Sequence, residues 1–239
     1  MKQVLSLKPT RSTTPEQLPL QFETAQRRAL PARLEPMRPV LGEAPFDDVD
    51  WFFEPWWPGT TVIAYVEDFR VRLQIEHLAD PLASFPELSD VGGDFAHDQV
   101  IVEGALLVLD DEGRPDADLL RRRLARPGSP DGSPAFIASD LLYDLGQPLL
   151  GLPFEERRQR LATVLRDTDR CVVSRGLRGE GVTLADAVSS MGLSEISART
   201  LSGKYRAGTQ DQAWLRLPTV EKPAIPTRPL LALLQRLPL

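Results

Sequence analysis

Two apolar, β-branched stretches constrain this chain more than any other feature. Thr61-Val62-Ile63-Ala64-Tyr65-Val66 runs through Asp68 and Phe69 into Arg70-Val71-Arg72-Leu73-Gln74, where apolar and polar side chains alternate. Branched residues fit a pleated surface, and two such runs about a short turn predict a hairpin. Val100 to Leu109 is a second such run, closed by the turn signal Asp110-Asp111-Glu112-Gly113. The stretches that follow mix strands and helices without regular strand–helix–strand alternation. That order predicts an α+β fold and argues against a doubly wound parallel sheet.

Further along, Pro115 to Arg126 carries leucines at helical spacing, and Arg126 to Pro134 is a Pro/Gly/Ser/Asp loop. Ala135 to Tyr143 reads as a buried strand and Cys171-Val172-Val173 as a short one. Pro153 to Leu165 reads as a helix, with proline at its start and Glu155 and Glu156 in its first turn. Thr183 to Met191 is a shorter helix ended by Gly192, and Ile196 to Leu201 and Ala213 to Leu217 are two more strands. Residues 1–34 read as a leader with a short helix over Pro15 to Arg28, and 35–218 as the main domain. Residues 219–239 form a Pro-rich tail in which Leu230, Leu231, Leu233, Leu234 and Leu237 make a leucine-rich amphipathic helix.

The 239 residues are enough for a hydrophobic core. A single cysteine, Cys171, excludes an internal disulfide, and it cannot build a common zinc site with His77 and His97 alone. With no apolar run long enough to span a bilayer and no secretion signal, the expected setting is cytoplasmic, away from membranes. The net charge of −6 argues against a protein whose main work is gripping nucleic acid. Arg121, Arg122, Arg123 and Arg126, and likewise Arg157, Arg158 and Arg160, are expected to be solvated helix faces. Only four lysines occur: Lys2, Lys8, Lys204 and Lys222.

Several short segments run in a telling order. They are Glu35-Pro36-Met37-Arg38-Pro39-Val40-Leu41, Phe53-Glu54-Pro55-Trp56-Trp57-Pro58-Gly59 and Phe85-Pro86-Glu87-Leu88, then Val102-Glu103-Gly104-Ala105-Leu106 and Ser139-Asp140-Leu141-Leu142-Tyr143. Gly151-Leu152-Pro153 with Glu155-Glu156-Arg157-Arg158 follows, then Gly192 to Leu201, Tyr205-Arg206-Ala207-Gly208 and Trp214-Leu215-Arg216. Together, over roughly residues 35 to 218, they resemble the adenylation (nucleotidyltransferase) domain of bacterial ATP-dependent DNA ligases, the end-joining type especially. The resemblance implies a two-sheet nucleotidyltransferase architecture with flanking helices. About twenty residues follow the last motif, too few for the OB-fold domain that follows in active ligases, so none is expected.

In that family a lysine amine attacks the ATP α-phosphate. The resemblance puts Trp56, beside Glu54, at the lysine position, and an indole nitrogen donates only. It also puts Ala105 at a metal-binding glutamate, with Glu103 two residues earlier, and Ser139 at the aromatic that packs on adenine. Ser194 replaces another glutamate, and Arg199 and Arg216 replace lysines. Arginine still holds phosphate, so those last two are the most tolerant changes. No catalytic residue and no metal ligand is assigned, and neither the ATP nor the Mg²⁺ of active relatives is expected as a cofactor. The implied function is a catalytically inactive ligase-like binding or scaffold module in DNA repair, with a protein partner and weak or no DNA binding. Two alternatives stand beside it: an active nucleotidyltransferase with a displaced nucleophile, and a non-catalytic nucleotide-binding regulator.

Overall fold

The structure, a computed structural model, describes residues 29–219. The helices expected over Pro15 to Arg28 and in the leucine-rich tail lie outside the described residues. The strands are β1 (Arg38–Leu41), β2 (Asp47–Pro55), β3 (Thr60–Glu67), β4 (Arg70–Ile75), β5 (Val100–Leu109), β6 (Ser133–Asp144), β7 (Gln147–Pro148), β8 (Cys171–Val173), β9 (Leu177–Glu180), β10 (Glu195–Thr200) and β11 (Gln210–Pro218). The helices are α1 (Pro81–Ser84), α2 (Ala117–Ala125), α3 (Phe154–Val164) and α4 (Gly181–Ser190). One sheet has the order β1-β11-β10-β2-β9. The other has β4-β3-β5-β6-β7, with β8 added to β6. This is the expected α+β, two-sheet architecture, with no OB-fold barrel among the described residues.

The long apolar run becomes β5 because both of its faces are covered. Val100, Val102, Leu106 and Val108 enter a core with Leu120 of α2 and Leu161 of α3. Leu107 and Leu109 point the other way, into a core shared with Phe53 of β2 and with α4. Ile101 joins a third cluster with Tyr65, Leu142 and Leu30. The hairpin turns at Asp68 and Phe69, with φ of 53° and 56° at successive residues, the left-handed pair of a tight two-residue turn. Gly104 lets β5 and β6 approach closely: a Cβ there would stand 2.1 Å from the Ile137 carbonyl oxygen. Helix α2 begins where Asp116 accepts the backbone N–H groups of Asp118 and Leu119 at 2.7 and 2.9 Å.

Four strands are not evident in the sequence: β1, β2, β7 and β9. The central strand β2 opens with Asp47, Asp48 and Asp50, poor strand formers that lie exposed. Its pairing with β10 and β9 defines it.

The arginine clusters require a correction, because three of their members are buried. Arg123 has no exposed surface, and it donates to the Ser84 and Gly132 carbonyls and, at 2.8 and 2.7 Å, to both oxygens of Glu87. Arg157 donates to both oxygens of Asp140 at 2.7 and 2.8 Å and to the Leu152 and Gly203 carbonyls. Arg158 is buried against Glu54 and the Ser174 carbonyl. A planar fork of five donors can be buried when carbonyls and carboxylates satisfy it. Arg121, Arg122, Arg126 and Arg160 are exposed, as expected. Among the described residues no helix is long and apolar enough to cross a membrane.

Arg123→Ala should therefore destabilise the domain by about 3 kcal/mol, because Glu87 and two carbonyls lose their donor in one step. Urea unfolding measures it, and a loss within ~0.5 kcal/mol of zero, normal for a surface arginine, would contradict the burial.

Candidate functional site

The site lies between the sheets. Side by side in the first sheet, Ser197 of β10 faces Glu54 of β2, and Arg199 faces Phe52 on one side and Trp214 of β11 on the other. From the second sheet, β5 brings Glu103, flanked by Ile63 and Asp140. Glu54, Trp56, Glu103, Ala105, Ser139 and Arg199 all line one pocket, so six of the residues singled out in the sequence converge there. Ser194 does not: it is exposed in the turn before β10. Arg216 is also outside the lining, but its guanidinium lies 4.6 Å from the Trp56 ring centroid. Trp57, Ser174, Ser197 and Trp214 complete the walls. No motif in the sequence marks these four as pocket residues. The strand period alone could have placed Ser197 on the same face as Arg199.

The polar groups of this pocket bond mainly to one another. Arg199 donates to Asp140 at 2.9 Å and to the Ser139 hydroxyl at 3.4 Å, and its Nε stands 3.8 Å from Glu54. Its guanidinium stacks 3.9 Å from the Trp214 ring centroid. Arg157 of α3 holds the same Asp140 from the other side, and Arg158 reaches Glu54 at 3.5 Å. Trp57 donates its indole N–H to the Ser174 hydroxyl at 3.2 Å. Arg216 pairs with Glu195 through two nitrogens, one at 2.8 Å. Both guanidiniums, expected to be the most tolerant changes, are thus engaged by carboxylates of this chain, Arg199 by Asp140 and Arg216 by Glu195.

Two groups are exceptions: the Nε of Arg199 has no hydrogen-bond partner, and Glu103, 1% exposed, makes no hydrogen bond of ordinary geometry through either carboxylate oxygen. Burial pushes the Glu103 pKa up to about 7, against the pull of Arg199 and with a further push from Asp140. Burial raises the Tyr205 hydroxyl as well, and the nearby Glu103 carboxyl adds to it.

The cavity measures about 50 Å³. Clefts that bury a drug-sized ligand measure roughly 300–1,000 Å³, so this cavity is small beside them. Among the described residues no cluster of three His, Cys, Asp or Glu could hold an ion. Lys204 is exposed in the loop after β10 and is not part of the pocket lining. The other three lysines lie outside the described residues.

No family model matches the chain. It is 28% identical over 166 residues to the multifunctional non-homologous end joining DNA repair protein LigD of Mycobacterium tuberculosis, covering 70% of this chain and 21% of that protein. The corresponding protein of Pseudomonas aeruginosa is 28% identical over 170 residues, covering 70% of this chain and 20% of that one. The chain thus spans about a fifth of the length of these relatives. Among solved structures, mycobacterial DNA ligase D complexed with ATP and MES superposes with a TM-score of 0.67 at 26% identity, covering 77% of this chain and 60% of that one. The ligase domain of M. tuberculosis LigD gives 0.66 at 27%, covering 77% and 58%. The relatives and structural neighbours are thus ligase domains of bacterial end-joining proteins, and the fold is that of the DNA ligase nucleotidyltransferase domain.

The buried Glu103 makes stability depend on pH. Its carboxyl titrates at about 7 in the folded chain, against 4.5 for the ordinary group. Between those values the folded state binds more protons than the unfolded one, so stability falls as pH rises through that window. Glu103→Gln should remove the effect, with the variant more stable than wild type at pH 8 by up to about 3 kcal/mol and near parity at pH 5. Parallel urea stability curves for the two proteins from pH 5 to 8 would refute the assignment.

Proposed function

We propose that this is a ligase-like domain that does not perform nucleotidyl transfer and acts as a binding module in end-joining DNA repair, engaging a protein partner. One observation carries the reading: Trp56, at the position the resemblance assigns to the nucleophilic lysine, sits between the Arg216 guanidinium and Trp214, whose ring centroid is 6.2 Å away. Attack on phosphorus needs an amine that can lose its proton, and an indole has no lone pair to give. The remaining cations of the pocket are paired internally, and the cavity is small. The same pairing weighs against a nucleotide-binding regulator, because a phosphate would have to displace carboxylates already bonded to Arg199 and Arg216. Lys204 is the lysine among the described residues that a displaced-nucleophile reading would use, and it lies outside the pocket lining.

Incubation with α-labelled ATP and Mg²⁺ or Mn²⁺, followed by denaturation, should leave no covalent AMP. A stoichiometric adduct would overturn the proposal, and its loss in Lys204→Ala would identify the displaced nucleophile. Trp56→Lys alone should remain inactive, since Ala105, Ser139 and the arginine–carboxylate network are unchanged.

DNA binding should be weak and salt-sensitive. The exposed members of the two arginine clusters, Arg121, Arg122, Arg126 and Arg160, face a net charge of −6. With about four phosphate contacts the affinity should fall by roughly two orders of magnitude between about 50 and 200 mM salt. Tight binding to nicked duplex at the higher salt, read by gel shift, would contradict this.

A further inference from the structure

A second concavity lies beyond Arg158, which separates it from the pocket. Its floor is Phe52 of β2, Val173 of β8 and Leu201 just past β10, and Ala162 of α3 forms a wall. Arg178 of β9 and Glu155 of α3 stand at its mouth. The cavity measures about 340 Å³, within the range of clefts that bury a ligand group. Phe52, Phe154 and Leu201 form a small apolar cluster of their own, separate from the three larger cores.

Two guanidiniums border this apolar floor. Arg158 stacks 4.0 Å from the Phe52 ring centroid, and the one carboxylate beside it, Glu54, stands at 3.5 Å, the limit of a hydrogen bond. The other terminal nitrogen of Arg158 donates to the Ser174 carbonyl. Arg178 is exposed and pairs with Glu155 at 3.0 Å, a surface pair of the kind that exchanges readily with another carboxylate.

The surroundings favour an extended chain as the occupant. Strand β9, which carries Arg178, is the outermost strand of its sheet, and no described strand pairs with its outer edge. Beside it Val49 and Val182 are 72% and 43% exposed, and Arg178 donates to the Val49 carbonyl at 3.1 Å. Peptides commonly add along such an edge and drop one side chain into an adjoining hollow.

We propose that this cleft docks a peptide segment of a protein partner in which a large apolar side chain neighbours a carboxylate. The apolar group rests on Phe52, Val173 and Leu201, and the carboxylate exchanges onto Arg178. This goes beyond the reading of the pocket and holds whether or not the domain transfers AMP.

The test uses the full chain and 1-anilinonaphthalene-8-sulfonate, whose aromatic body and single anion reproduce the proposed chemistry. Wild type should bind the dye at one saturable site. Ala162→Trp, which fills the cleft from an exposed position, and Arg178→Glu, which reverses the charge at its mouth, should each weaken binding by about tenfold or more at unchanged melting temperature. A blocked hexapeptide with one phenylalanine between aspartates should displace the dye, and its lysine twin should not. The absence of saturable binding, binding that survives both substitutions, or equal displacement by the two peptides would overturn the proposal. So would displacement by a single-stranded oligonucleotide and by neither peptide, which would make the cleft a nucleic-acid site. Should Ala162→Trp melt early, Arg178→Glu alone decides.

Discussion

Asp140 accepts hydrogen bonds from two guanidiniums at once, Arg157 of α3 and Arg199 of β10, while standing on β6 of the other sheet with no exposed surface. Through it one helix and both sheets meet at a single carboxylate. Glu54 extends the arrangement to β2 and, by way of Arg158, back to α3. Buried charges persist only when paired, and removing one member of such a set leaves an uncompensated ion in a medium of low polarity. The walls of the pocket are thus fixed by ion pairs that depend on one another, and side chains lining the pocket also join the two halves of the domain. Rearranging them to admit a ligand would disturb the junction of the sheets.

The Trp56 stack adds to this. An aliphatic amine at that position would be a compact, strongly hydrated charge close to Arg216 and Arg199. An indole instead offers a broad face on which a guanidinium lies favourably, and Arg216 takes it while paired to Glu195. Glu103 is the carboxylate that does not fit this pattern of mutual satisfaction. Its carboxylate has Arg199 as an electrostatic neighbour but no hydrogen bond, and burial therefore controls its protonation. A domain that tolerates such a group accepts a stability cost at alkaline pH.

Strands such as β3, β4 and β5 were legible because their covering is local to the pattern: alternation or continuous branching declares which faces are buried. Helix α3 was legible from its proline and its acidic first turn. By contrast β2 begins with three aspartates, and β9 is four residues long with a glycine at φ 79°, so pairing partners distant in sequence determine both. The pocket divides in the same way. The ordered motifs led to Glu54, Trp56, Glu103, Ala105, Ser139 and Arg199, which do converge, whereas Ser194 sits in an exposed turn. Composition concealed the buried arginines. Clusters of arginine on a helix read as a wet face, and only the positions of Glu87, Asp140 and Glu54, far away in the chain, reveal that Arg123 of the first cluster and Arg157 and Arg158 of the second turn inward.

The apolar cores and the charged groups of the pocket draw on different residues, although Trp57, Ile137 and Trp214 belong to both core and pocket wall. The three large apolar clusters contain none of the charged residues of the pocket. Hydrophobic burial scales with area and is indifferent to whether Glu54 faces a ligand or Arg158. The positions at which the resemblance expects other residues are not independent of each other. Arg199 touches Asp140, Ser139 and Trp214 together, and Arg216 reaches Trp56, so the effect of any single reversal depends on the rest. An amine placed at residue 56 would meet two arginines, a serine where the resemblance expects an aromatic wall, and an alanine where it expects a carboxylate. On the proposed reading, a reversal at residue 56 therefore acts only together with changes at several of these coupled neighbours.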